Sequence, residues 1–102
     1  MISRTTANQA RYRFAIVAIF KNERPYLAEW IAYHRLIGFE HFYIADHGST
    51  DGTDLLLAKW QRQGLVTARQ WEPEERAQTP WYPHVLGHHG KEATHMAFLA
   101  AG

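Results

Sequence analysis

The stretch Phe14-Ala15-Ile16-Val17-Ala18-Ile19-Phe20, broken at once by Lys21-Asn22-Glu23-Arg24-Pro25, decides how the whole chain is read. A strand with one wet face alternates polar and apolar residues. A continuous apolar run, rich in β-branched and aromatic side chains, fits a strand covered on both faces, as in a parallel sheet between helices. Pro25 stands where a helix would start, since a first-turn residue has no intrahelical use for the N–H that proline lacks.

Outward from this run the period changes. Leu27, Trp30, Ile31 and His34 fall at i, i+3, i+4 and i+7, one face of a helix over residues 25–37, and Gly38 is placed to stop it. Residues 39–45 give a second strand, with Phe42-Tyr43-Ile44-Ala45 ending at Asp46. The segment Asp46-His47-Gly48-Ser49-Thr50-Asp51-Gly52 is turn chemistry. Asp51 can cap the next helix, Asp54 adds negative charge to its first turn, and Gly64 ends it. Residues 65–71 read as a third strand. The order β-α-β-α-β predicts an α/β fold, a three-layer sandwich around a parallel sheet with right-handed crossovers. Residues 1–13 read as a polar lead-in. Residues 72–90, with three prolines and two glycines, read as a long loop. Ala93, Met96, Ala97 and Ala100 then recover helical spacing.

Composition narrows the function classes. The chain has 102 residues, 46% of them hydrophobic, which fits one small domain with a core. A formal net charge of +1 argues against a strongly basic nucleic-acid binder, so no nucleic-acid partner is expected. With no cysteine, disulfide scaffolds, Cys-ligated zinc and thiol catalysis are excluded. No apolar run is long enough to span a membrane, and no apolar segment directly follows Met1, so the expected location is cytoplasmic.

In an open parallel sheet, ligands bind beyond the carboxyl ends of the strands, near a switch in strand order. That rule selects Lys21-Asn22-Glu23 after the first strand and Asp46–Asp51 after the second. If those strands are neighbours, both clusters face one crevice, where carboxylates can accept from ribose hydroxyls or a base N–H. The plainer reading stands beside it: Asp46 and Asp51 as turn and cap residues, Glu23 as a carboxylate at a helix start, Asn22 as an Asx turn. No glycine-rich dinucleotide fingerprint or P-loop is present.

The other polar residues point less sharply. His84, His88, His89 and His95 lack metal-ligand spacing and read as loop and surface residues. His34 and His41 flank a strand boundary and read as half-buried. Trp81-Tyr82 could stack on a sugar or base, or could pin the loop to the body. Glu72, Glu74 and Glu75 read as a solvated acidic surface.

Taken together, Lys21-Asn22-Glu23, then Glu29-Trp30-Ile31-Ala32-Tyr33-His34, then Asp46-His47-Gly48-Ser49-Thr50-Asp51-Gly52-Thr53 resemble the N-terminal half of family 2-like glycosyltransferases of the GT-A fold, in the branch with KNE, EWxxYH and DHGSTDGT motifs. The resemblance implies transfer of a sugar from a nucleotide-sugar donor, usually a uridine diphosphate (UDP) sugar, to an unidentified acceptor. Carried over by position, Asn22, Glu23, Asp46 and His47 hold the nucleoside, Asp51 braces the turn and Lys91 approaches the diphosphate. Many relatives carry a second acid where this chain has His47. The resemblance also implies a divalent cation, Mg or Mn, held by an Asp-x-Asp motif at the end of the next strand. No Asp-x-Asp occurs in this chain, and that strand is expected just beyond Gly102. The expectation is therefore residues 14–102 as a partial GT-A domain that transfers no sugar alone, with dimerisation through its open sheet edge. The rival from another class is a non-catalytic nucleotide-binding or interaction module. A metal-binding module built on the C-terminal histidines is a third reading.

Overall fold

Most of the apolar run at 14–20 is the inside of a sheet: residues 15–18 and Phe20 are buried, while Phe14 at its start is exposed. A computed structural model describes residues 10–71 and 80–100 of the chain. The elements are β1 (Tyr12–Phe20), α1 (Arg24–Leu36), β2 (His41–Asp46), α2 (Thr53–Arg62), β3 (Val66–Gln70), α3 (Trp81–His89) and β4 (Ala93–Ala100). The four strands form one sheet in the order β3-β2-β1-β4, with every pairing parallel.

Alternate side chains of a strand leave on opposite faces. Ile16, Ala18 and Phe20 of β1 therefore join one core with Leu27 and Ile31 of α1 and Leu57 of α2. Ala15 and Val17 join a second core with Trp81 and Val85 of α3. Both faces are covered, which is why the run shows no polar alternation. The three-layer α/β sandwich expected from the order of elements is the fold observed.

Local chemistry sets the helix ends. Pro25 lies in the first turn of α1. Gly38 follows that helix at φ 115°, in the left-handed region that costs other residues energy. In α2, Asp54 sits in the first turn and Lys59 and Arg62 in the last, each sign complementing the helix dipole.

The topology turns on β1. From β1 to β3 the chain winds outward with α1 and α2 on one face. From β3 it returns through α3, on the other face, to place β4 against the free side of β1. Strand order thus switches direction between β1 and β4, and the open ends of these strands lie at that switch point.

Several expectations are corrected. β1 begins at Tyr12, inside the lead-in, and β2 begins at His41 rather than at residue 39. Residues 81–89 of the expected loop are helix α3. Pro80 is its N-cap and Pro83 lies in its first turn, where proline breaks no hydrogen bond, so two apparent helix breakers sit where a helix tolerates them. Glu72, Glu74 and Glu75 lie outside the described residues. The tail is strand β4, not a helix: Ala97 and Leu99 pack on one core and Met96 on the other. A strand apolar on both faces contains helical spacings by chance, and here tertiary pairing overrides the helix preference of alanine. A fourth strand thus stands beside β1 within the chain, where the resemblance expected the next strand only beyond Gly102. His41, read as half-buried, is 3% exposed. No described helix is long and apolar enough to cross a membrane.

Candidate functional site

At the carboxyl ends of β1 and β2, two loops are tied into one structure. Beyond the strands the ladder continues, as the His47 N–H donates to the Phe20 carbonyl over 2.9 Å. Asn22 holds φ at 54°, a left-handed conformation that Asn tolerates better than most residues. Its N–H donates to Ser49 Oγ (2.9 Å), and its Oδ1 accepts from the Thr50 N–H (2.8 Å). The Arg24 N–H donates to Asp51 Oδ2 (3.1 Å). Asp51 Oδ1 accepts from the N–H (3.1 Å) and the hydroxyl of Thr53, which is fully buried. The Thr53 hydroxyl, with the N–H groups of Arg24 and Thr53, holds the Asp51 carboxyl below its usual range against the opposing effect of burial. Asp51 therefore joins the starts of both helices, a broader role than a single cap.

Asp46 is 1% exposed, and both its oxygens are engaged. Oδ1 accepts from the Ser49 N–H (2.9 Å) and Oδ2 from Gln70 Nε2 (2.8 Å). Gln70 was missed in the sequence reading, although it ends the strand next to β2, and the strand-end rule that selected Asp46 selects it too. A groove of about 200 Å³ beside this pair is lined by Asp46, Asp54, Gln61, Arg69 and Gln70. A second, of about 420 Å³, lies between the helix starts and is lined by Arg24, Pro25, Asp51 and Leu56.

The fold thus brings Asn22, Glu23, Asp46, His47 and Asp51 to one end of the sheet. Glu23 is half-buried at the N-cap of α1 and makes no side-chain capping bond; its carbonyl accepts from the Tyr26 N–H. Lys91 is not among them. It is exposed just before β4, at the amino end of the sheet where Tyr12 pairs with Ala93. The length of β1, nine residues, puts it about 26 Å or more from the loops after β1 and β2. A role on the diphosphate, expected from the resemblance, does not fit that placement. Trp81 is buried and donates Nε1–H to the Tyr43 carbonyl (3.2 Å), and the Tyr82 hydroxyl donates to the Leu99 carbonyl (3.1 Å). Of the two readings of this aromatic pair, pinning is the one the contacts support.

The amino end of the sheet carries a separate polar cluster. The Tyr43 hydroxyl donates to Glu92 Oε1 (2.7 Å), and Glu92 Oε2 lies 3.0 Å from His89 Nδ1. His41 Nε2 bonds Thr67 Oγ1 (2.8 Å), and its ring stacks on Tyr12 at 4.3 Å. Burial pushes His41 down to about 4; the Glu92 carboxylate opposes this and Arg11 adds to it. Burial, then the bond to Glu92, raises Tyr43. Burial pushes Glu92 up, but Tyr43 and His89 outweigh it and hold the carboxyl below its ordinary range. Among the described residues no three His, Cys, Asp or Glu side chains are grouped to hold a metal ion.

Comparison with known proteins bears on nearly the whole chain. The model of glycosyltransferase family 92 matches residues 14–100. A glycosyltransferase family 92 protein of Ricinus communis is 27% identical over 93 residues, covering 91% of this chain and 16% of that protein. One from Arabidopsis thaliana is 24% identical over 89 residues, covering 87% and 16%. One from Oryza sativa subsp. japonica is 26% identical over 73 residues, covering 72% and 12%. The chain thus spans about 16% of the length of the first two relatives. No solved structure gives a significant match.

Proposed function

Because the chain belongs to glycosyltransferase family 92, we propose that it forms the donor-binding part of a GT-A-type domain that transfers a sugar from a nucleotide donor to an acceptor. The family is 92, not the family 2-like branch that the motifs resemble. The observation that carries the reading is the strand order β3-β2-β1-β4 with two interlocked loops at its carboxyl end. A doubly wound sheet opens its crevice at that end, and the loops there hold the residues that the resemblance assigns to the nucleoside.

The division of labour follows from the bonding. Asn22 and Asp51 spend their side chains on the opposite loop, so they shape the crevice. Asp46 fixes Ser49 and Gln70, and so sets the groove wall. Glu23, at the N-cap of α1, and His47, whose N–H extends the ladder past β2, complete the set. The donor is proposed to be a UDP sugar. The divalent cation implied by the resemblance has no ligand set among the described residues and no Asp-x-Asp in the chain, so no step here runs through it.

Titration of the full chain with UDP tests the reading. Saturable binding is expected, with a loss of at least tenfold in Asp46→Ala, about the worth of one buried charged hydrogen bond. Asp46→Asn, which keeps the shape and one acceptor, should lose less. Failure of the wild-type chain to bind at millimolar UDP would remove the proposal.

A further inference from the structure

Asp46 and Gln70 form a pair whose chemistry goes beyond a nucleotide site in general. Two adjacent N–H donors, as on the pairing edge of guanine, are matched by a carboxylate with both oxygens open. Asp46 does not offer that, because the Ser49 N–H occupies Oδ1 and Gln70 Nε2 occupies Oδ2. Gln70 is exposed at the groove, and among the described residues only one of its amide hydrogens is committed. Its Oε1 and second N–H remain, an acceptor beside a donor. The imide edge of uracil presents the complement, an N3–H beside a carbonyl oxygen.

We propose that Gln70, oriented by Asp46, reads the base edge of the donor and selects uracil against guanine. This rests on the nucleotide reading above. Gln70 is then a specificity residue, and Asp46 the positioning residue that fixes its amide. The arrangement explains why an acid at the end of β2 can be almost wholly buried in a site that must recognise a base. The carboxylate acts through the amide it holds.

Isothermal titration of the full chain with UDP and GDP tests the proposal, using wild type, Gln70→Met and Gln70→Glu. A bidentate contact to a base edge discriminates by about tenfold to a hundredfold. Gln70→Met is expected to weaken UDP binding by about that factor and leave GDP little changed. Gln70→Glu, which puts an acceptor pair in place of the amide, should move the UDP:GDP preference toward GDP by about tenfold or more. Either variant takes the Gln70 N–H from the nearly buried Asp46 carboxylate, so a lowered thermal midpoint is expected, and each titration is run at a temperature where circular dichroism shows that variant folded. A wild type that binds neither nucleotide ends the donor reading and this one with it. A wild type that binds UDP, with an unchanged UDP:GDP ratio in both variants, ends this one alone.

Discussion

Replacing Trp81 by alanine should cost about 3–5 kcal/mol of stability, the range for truncating a buried aromatic. Trp81 is 2% exposed, meets Trp71 edge-on at 5.0 Å, and donates its indole N–H to the Tyr43 carbonyl. The substitution removes a large share of the core on the α3 face and leaves a buried carbonyl with one partner fewer. A small domain has about 5–15 kcal/mol in total, so the variant stands near its unfolding threshold. Urea unfolding should show a much lower midpoint. A shift of less than about 1 kcal/mol would mean that α3 is not packed as described. The contrast is Leu86→Ala on the same helix: Leu86 is 54% exposed and should change stability by no more than about 0.5 kcal/mol.

The second large effect is on the acid side. His41 titrates at about 4 in the fold against an ordinary 6.5, because burial disfavours its charged form. As pH falls below 6.5, the unfolded chain takes a proton that the folded chain refuses, so stability declines. The decline ends near pH 4, where both states are charged. A difference of this size corresponds to about 3 kcal/mol over the window. Glu92 faces His41 with opposing charge and Arg11 with like charge, and Glu92 itself is shared with Tyr43 and His89. Asp51 and Glu92 are held below their ordinary values, so their contributions are present above those values and are lost only at lower pH. The His41 loss therefore comes first on acidification. His41→Phe should flatten the stability profile between pH 6.5 and 4 in chemical denaturation at stepped pH. An unchanged slope would show that His41 is not the group responsible.

The residues that announced themselves in sequence are those whose environment is local or whose period is clean. The apolar run at 14–20 fits a doubly covered strand, and Leu27, Trp30 and Ile31 fit one helix face. The convergence of Asn22 and Asp46 followed once the first two strands were neighbours, as they are. The tail was misread because Ala93, Met96 and Ala97 satisfy a helical spacing, while the fact that decides them is pairing with β1 at the far end of the chain. Helix α3 was hidden by its own prolines. Gln70 escaped notice for a different reason. The strand-end rule reaches it, but a neutral amide marks no particular chemistry until its partner, the Asp46 carboxylate, is seen beside it. Lys91 was carried over by likeness, and a single lysine cannot show from sequence which end of a sheet it occupies.

The placement of β4 also has a consequence for the order of assembly during synthesis. Ala15 meets Met96 and Val17 meets Phe98, so one flank of the first strand waits for residues made about 80 positions later. β1, α1, β2, α2 and β3 pair with near neighbours in the chain and can assemble as they emerge. The edge of β1 stays open throughout that interval, several seconds at ribosomal rates of about 5–20 residues per second. That edge belongs to the most apolar of the described strands, and so it is the surface by which a nascent chain would first be caught by a chaperone or by another copy of itself.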